Sequence, residues 1–112
     1  MAANEILNAT KSQLKKTRNV MLSLEYHLEL EKSSAPVKTE SAQLLSQVQL
    51  AYMKLRTAEL QEIRKKLEEN EAGLTTGIDV LKAKLEDLEN VKQTLAAISG
   101  LLKIIGRVVA LV

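Results

Sequence analysis

The chain has 112 residues, of which 46% are hydrophobic and 27% are charged, a length that suits one domain, residues 1–112. One proline, four glycines and two tyrosines are too few turn formers and aromatic residues for a β-sandwich or β-barrel. The lack of cysteine excludes disulfide scaffolds and Cys-ligated metal centres. The 16 basic and 14 acidic residues give a net charge of +2, which is too small to attract a polyanion strongly.

The amino-terminal sequence MAANEILNATKSQLKK has no apolar run longer than Ile6-Leu7. A secretory signal peptide needs a much longer apolar segment. We therefore expect a cytoplasmic protein, with a peripheral membrane location as the alternative.

The first predicted helix covers about residues 4–32, with Asn4 as its amino-terminal cap. It ends in the stretch 33–37 because Pro36 disfavours a helical residue before it and lacks an N–H group. Its apolar residues recur at helical spacing along one stripe: Ile6, Leu7, Leu14, Met21, Leu24 and Leu28.

The second predicted helix covers about residues 38–70, and the third about 77–110. Between them, Gly73 suits a left-handed helix end, and Thr76 with Asp79 resembles a capping box. The sequence therefore predicts an all-α protein, an antiparallel three-helix bundle with coiled-coil-like packing.

A second arrangement stays open because apolar residues recur every seven positions from Leu60 to Val109. Such a repeat is typical of one continuous helix in a coiled coil. The alternative is a helical hairpin whose second helix spans 38–98 or beyond. The companion heptad positions include Asn70, Gly77 and Lys84, and these polar or bare residues favour the three-helix arrangement.

The carboxyl-terminal segment 95–112 contains two charged residues, Lys103 and Arg107, and no acidic residue. On a helix, its small and polar residues fall on one narrow strip: Ala96, Ser99, Gly100, Lys103, Gly106, Arg107 and Ala110. The remaining circumference is apolar. This pattern fits the centre of an oligomer, a membrane interface with Lys103 and Arg107 on lipid headgroups, or a bilayer span.

The residues offer little for catalysis, and we expect no enzyme, no metal site, no cofactor and no small-molecule substrate. His27 is the sole histidine, and Leu24 stands where a helical di-iron motif requires Glu. The basic runs 15–18 and 64–66 lack interleaved aromatic residues, so nucleic-acid binding is a weak expectation. Tyr26 and Tyr52 are expected to pack with their rings against the core.

These observations predict a non-enzymatic interaction or assembly module that works as a homo-oligomer. The predicted interaction residues, for an oligomer or a membrane, are Leu74, Leu81, Leu88, Leu95, Ile98, Leu102, Ile105 and Val109. The alternative function is membrane-surface association through 95–112, and the third is weak nucleic-acid association.

Overall fold

The computed structural model describes residues 2–111. Residue 1 of the predicted domain and residue 112 of the predicted apolar segment lie outside this range. The described residues form six helices: α1 (Ala3–Met21), α2 (Leu24–Glu31), α3 (Ala35–Thr57), α4 (Leu60–Glu69), α5 (Glu71–Leu85) and α6 (Val91–Ile105). No strand occurs between residues 2 and 111, so the predicted all-α class is confirmed. The three-helix arrangement is not confirmed, since the predicted helices are interrupted.

The first predicted helix is broken at Leu22 and Ser23. The Ser23 hydroxyl oxygen accepts a hydrogen bond from the Tyr26 backbone N–H at 3.3 Å and donates one to the Val20 carbonyl oxygen at 2.6 Å. A serine in this role starts a new helix. The helical phase is therefore reset, and Tyr26 rather than Leu24 faces the core.

The predicted break at 33–37 agrees with the structure, in which residues 32–34 form a turn and Pro36 lies in the first turn of α3. Proline fits this place because the first helical N–H groups need no intrahelical partner. The Tyr26 hydroxyl and the Ser41 hydroxyl are 2.7 Å apart and join α2 to α3.

The second predicted helix, 38–70, is wrong in its interior because α3 ends at Thr57 and Ala58 has extended backbone angles, φ −71° and ψ 140°. The Thr57 hydroxyl turns back to the Met53 carbonyl oxygen at 3.0 Å. Neither glycine nor proline marks this break, so the sequence gives no strong turn signal there.

The second predicted break, 70–77, shrinks to the single residue Asn70, which ends α4 and begins α5. Helical hydrogen bonds pass through it, from the Asn70 N–H to Lys66 and from the Leu74 N–H to the Asn70 carbonyl oxygen. Gly73 and Gly77 lie inside α5 without a positive φ angle, so Gly73 is not the helix end, and residue 77 is not the helix start, that we predicted.

The chain instead reverses at residues 86–90, inside the third predicted helix. The Asn90 side chain accepts a hydrogen bond from the Gln93 N–H at 3.2 Å and starts α6. This helix ends at Ile105, short of the predicted residue 110. The reversal also contradicts the alternative of one helix through 38–98. The seven-residue spacing of apolar residues continues through the turn, so it does not indicate a continuous helix there.

The helices pack into one bundle, in which α4 and α5 form a nearly continuous helix through Asn70. The main packing contacts form a ring in which α1 contacts α3, α3 contacts α6, α6 contacts α5, and α1 contacts both α4 and α5. Gly73 lies beside Ile104 and Gly77 beside Leu101, so α5 and α6 run antiparallel. The molecule measures 44 × 25 × 18 Å, and its apolar core runs along the centre of the ring.

Candidate functional site

The predicted interaction residues lie mainly in the core of the single chain. Six of them are buried: Leu74, Leu81, Leu95, Ile98, Leu102 and Ile105. Leu88 and Val109 are partly buried and pack against the same core. The six buried side chains therefore hold the chain's own helices together and present no free surface to another molecule.

The narrow strip predicted for the carboxyl-terminal segment is present. All seven of its residues are exposed: Ala96, Ser99, Gly100, Lys103, Gly106, Arg107 and Ala110. The large apolar residues of the segment turn inward, with Leu101, Ile105 and Val108 almost completely covered. The large apolar side chains of this segment are thus covered by the other helices of the same chain, whereas Lys103 and Arg107 lie at the surface.

Among residues 2–111, three of the five exposed large apolar side chains lie where α1 meets α2. Leu24 is 74% exposed, Leu28 is 56% exposed, and Leu22 is 53% exposed. Leu24 and Leu28 are four residues apart, so they share one face of α2, opposite the buried Tyr26. Two leucines on one exposed helical face are typical of an anchor that inserts into a groove.

Sequence reasoning missed this surface because it continued the apolar stripe of α1 through Leu24 and Leu28. The signal that could have revealed it is Ser23, which precedes Glu25 and a new set of apolar residues. Reading Ser23 as a helix start shifts the buried positions to Tyr26 and Leu30 and leaves the leucine pair outside.

The exposed leucines are set in an acidic helix. α2 carries Glu25, Glu29 and Glu31 and neither lysine nor arginine. Glu29 pairs with Lys32 at 3.2 Å and Glu31 with Lys38 at 3.6 Å, both at the surface. Exposed pairs of this kind contribute little to stability and are readily exchanged for other partners.

α2 is held in place by Tyr26, whose hydroxyl shares the buried hydrogen bond with Ser41. Burial raises the pKa of Tyr26 above its ordinary value of 10.0; the Ser41 hydrogen bond opposes this shift, and the negative charge of Glu40 adds to it. The phenol is therefore neutral at physiological pH and anchors α2 on α3.

The buried polar side chains of the core are hydrogen-bonded. Its buried polar residues include Thr10, Gln13 and Thr17 on α1, and the two threonine hydroxyls donate to the Ile6 and Gln13 carbonyl oxygens at 2.8 Å. Across residues 2–111, each buried side-chain N or O atom has a hydrogen-bond partner. No group of three or more metal-binding side chains occurs in that part of the chain.

The two basic runs are dispersed by the helical geometry. In the run 15–18, Lys15 and Lys16 are exposed, Thr17 is buried and Arg18 is half-buried, whereas Arg64, Lys65 and Lys66 are exposed on α4. Successive residues on a helix point about 100° apart. Neither run therefore forms one flat cationic patch.

None of the helices described between residues 2 and 111 combines the length and apolar content required to cross a bilayer. Comparison with known proteins gives no matching family model, no matching curated protein and no matching solved structure.

Proposed function

We propose that the chain is a cytoplasmic, non-enzymatic assembly module that works as a homo-oligomer through the outer face of α2. The observation that carries this proposal is the exposure of Leu24 and Leu28 on one face of a helix whose other face is fixed in the core. Full burial of a leucine side chain contributes about 1.5–3 kcal/mol. Covering both side chains with a second copy therefore contributes favourable free energy to association.

The interface that we propose lies on α2 and not on the regularly spaced leucines that the sequence pattern favoured. Leu74, Leu81 and the other regularly spaced leucines serve the bundle itself, so an oligomer need not open the fold to form. The exposed face of α2 is available while every helix keeps its own packing.

The test is light scattering coupled to size exclusion of the full chain over a wide concentration range. We expect the unchanged protein to give a mass above 12.4 kDa that rises with concentration. The double variant L24E/L28E should remain folded by circular dichroism and elute as the monomer. Met53, which is 55% exposed on α3, supplies the matched control, because M53E adds a charge at a similarly exposed apolar position outside α2.

A purely monomeric wild-type chain would contradict the proposal, as would an M53E variant that loses association as completely as L24E/L28E.

Flotation with vesicles of anionic lipid distinguishes the membrane-surface alternative from self-association. Binding that depends on Lys103 and Arg107, without self-association in solution, would favour that alternative because each cation near an anionic surface contributes about 1 kcal/mol. A salt-sensitive gel shift in a monomeric chain would favour nucleic-acid association instead.

A further inference from the structure

A second apolar surface, the α5–α6 groove, lies on the pair of antiparallel helices formed by α5 and α6. Its volume is about 510 Å³, within the range of ordinary ligand pockets. Small side chains line it on both helices, and Val80, which is 45% exposed, stands at its edge. The lining includes Gly73, Gly77, Ala97 and Gly100. The groove is wide enough to admit large side chains from another molecule.

The glycines in this groove differ in whether the packing of the chain itself requires them. A Cβ atom at Gly73 would lie 3.2 Å from the Ile104 Cδ1 atom, and one at Gly77 would lie 3.1 Å from the Leu101 Cδ1 atom. These two glycines permit the close approach of α5 and α6. A Cβ atom at Gly100 would meet nothing within 4 Å. The packing of the chain therefore gives no reason for Gly100, although glycine is a poor helix former.

We propose that the α5–α6 groove receives α2 of a second copy of this chain, with Leu24 and Leu28 inserted beside Gly100. This inference rests on the proposed function, since it names the surface that the exposed leucines bind. In its own chain α2 packs against α1 and α3, so its contact with the α5–α6 groove is made between molecules. A helix that lays two apolar anchors into an apolar groove is a common recognition mode.

Charge complementarity favours the second copy as the occupant. α2 carries three glutamates and no lysine or arginine, whereas α6 carries two lysines and no acidic residue. On α5, the other wall of the groove, Glu71 and Asp79 are balanced by Lys82 and Lys84. Lys103 lies one helical turn after Gly100 on the exposed strip of α6, on the side of Ser99 and Gln47, and Arg107 continues that strip past the end of the helix. Opposite charges on the two helices favour the encounter and fix the register, while another copy of the acidic helix is repelled by α2 itself.

The contact joins two different surfaces, so it is heterologous. Each copy then offers a free α2 at one end of the contact and a free groove at the other. Contacts of this kind build rings when the rotation closes and open chains when it does not. Chains with one surface blocked should still use the other surface.

Two variants with complementary defects test this arrangement. L24E/L28E removes the anchors and keeps the groove. G100E places a carboxylate in the groove and keeps the anchors, and its new side chain starts in open space, so the fold should persist. Ser99 is the matched control: it is exposed on the same helix but lies toward Gln47 of α3, outside the groove. S99E should associate like the unchanged chain.

We expect each defective variant alone to associate at least about tenfold more weakly than the unchanged chain, since central anchors commonly contribute that much to binding. An equimolar mixture of L24E/L28E and G100E should form a one-to-one dimer, because an intact α2 meets an intact groove. If the mixture stays monomeric while the unchanged chain associates, the α5–α6 groove is not the partner surface, although self-association through α2 stands. If G100E associates normally, or the unchanged chain does not associate, the inference is also overturned.

Discussion

Tyr26 determines which way the leucines of α2 face. Its ring is buried, its hydroxyl meets Ser41 at 2.7 Å, and its backbone N–H donates to the Ser23 side chain that starts the helix. These contacts fix one face of α2 inward. Leu24 and Leu28 are consequently held outward by packing that they do not themselves provide.

The raised pKa of Tyr26 predicts a loss of stability in alkaline solution. Burial is the main cause of the shift, and it favours the protonated phenol in the folded state. Below pH 10.0 the folded and unfolded chains both keep the proton, so this contribution is fully present. Above that value the unfolded chain releases its proton first, and the contribution is lost as the pH rises through the folded pKa.

Tyr26→Phe should remove this part of the pH dependence. Denaturant unfolding at a series of alkaline pH values is expected to show a shallower decline for Tyr26→Phe than for the unchanged chain. At neutral pH the variant should be about 1–3 kcal/mol less stable because the buried Ser41 hydroxyl loses its partner. Identical slopes in the two proteins would contradict the assignment to Tyr26.

At the scale of the elements, the sequence predicts some helix ends correctly and misses others. Pro36 and the periodic apolar residues correctly predict helices and the turn at 32–34. The break at Ala58 carries no glycine or proline, and Gly73 and Gly77 suggest a turn where the chain remains helical. Packing against α6 decides the role of these glycines, and local sequence does not contain that information.

In the candidate site too, features set by local sequence are predicted correctly, whereas features set by tertiary packing are not. The exposed strip of α6, with Lys103, follows from helical periodicity and is correctly predicted, and Arg107 is exposed beyond the end of that helix. The exposure of Leu24 and Leu28 depends on a single serine that resets the helical phase, so a periodicity argument carried through Ser23 places them inside. The α5–α6 groove requires two helices that meet in three dimensions, and only the structure provides it.

Replacing individual glycines of α5 and α6 by alanine tests whether they serve packing. Gly100→Ala should stabilise the fold by up to about 1 kcal/mol, because alanine favours the helix and its Cβ atom lies in open space. At Gly77 the same gain is offset by the Leu101 Cδ1 atom at 3.1 Å. Denaturant unfolding should therefore rank Gly100→Ala above Gly77→Ala. The reverse order would show that α5 and α6 do not approach as closely as described.

On the scale of the whole molecule, the ring of packed helices depends on α6. This helix contacts α5 on one side and α3 on the other, and it carries much of the core. Residues 95–111 are therefore part of the fold, and their large apolar side chains pack in the bundle.

Removing residues 101–112 should largely unfold the chain. The deletion takes away four buried apolar side chains, Leu101, Leu102, Ile105 and Val108. Each contributes about 1.5–3 kcal/mol when fully buried, and a small domain is stable by about 5–15 kcal/mol in total. Circular dichroism should show most of the helical signal lost at room temperature. A truncated chain that keeps its helicity and cooperative melting would contradict the packing of α6.

The most direct measurement of the intermolecular contact is a spin-label distance between two copies. The chain has no cysteine, so His27→Cys in one sample and Ser99→Cys in another each accept a single label at an exposed position. Position 27 lies on α2, and position 99 lies on α6 next to Gly100 but outside the groove, where a label leaves the contact intact. In an equimolar mixture we predict a label-to-label distance shorter than about three helix diameters, each about 10–12 Å, and a longer distance when the first label is at Met53→Cys. Only the diffuse background of separate molecules, or an equally short distance between two labels at position 27, would contradict the docking of α2 in the α5–α6 groove.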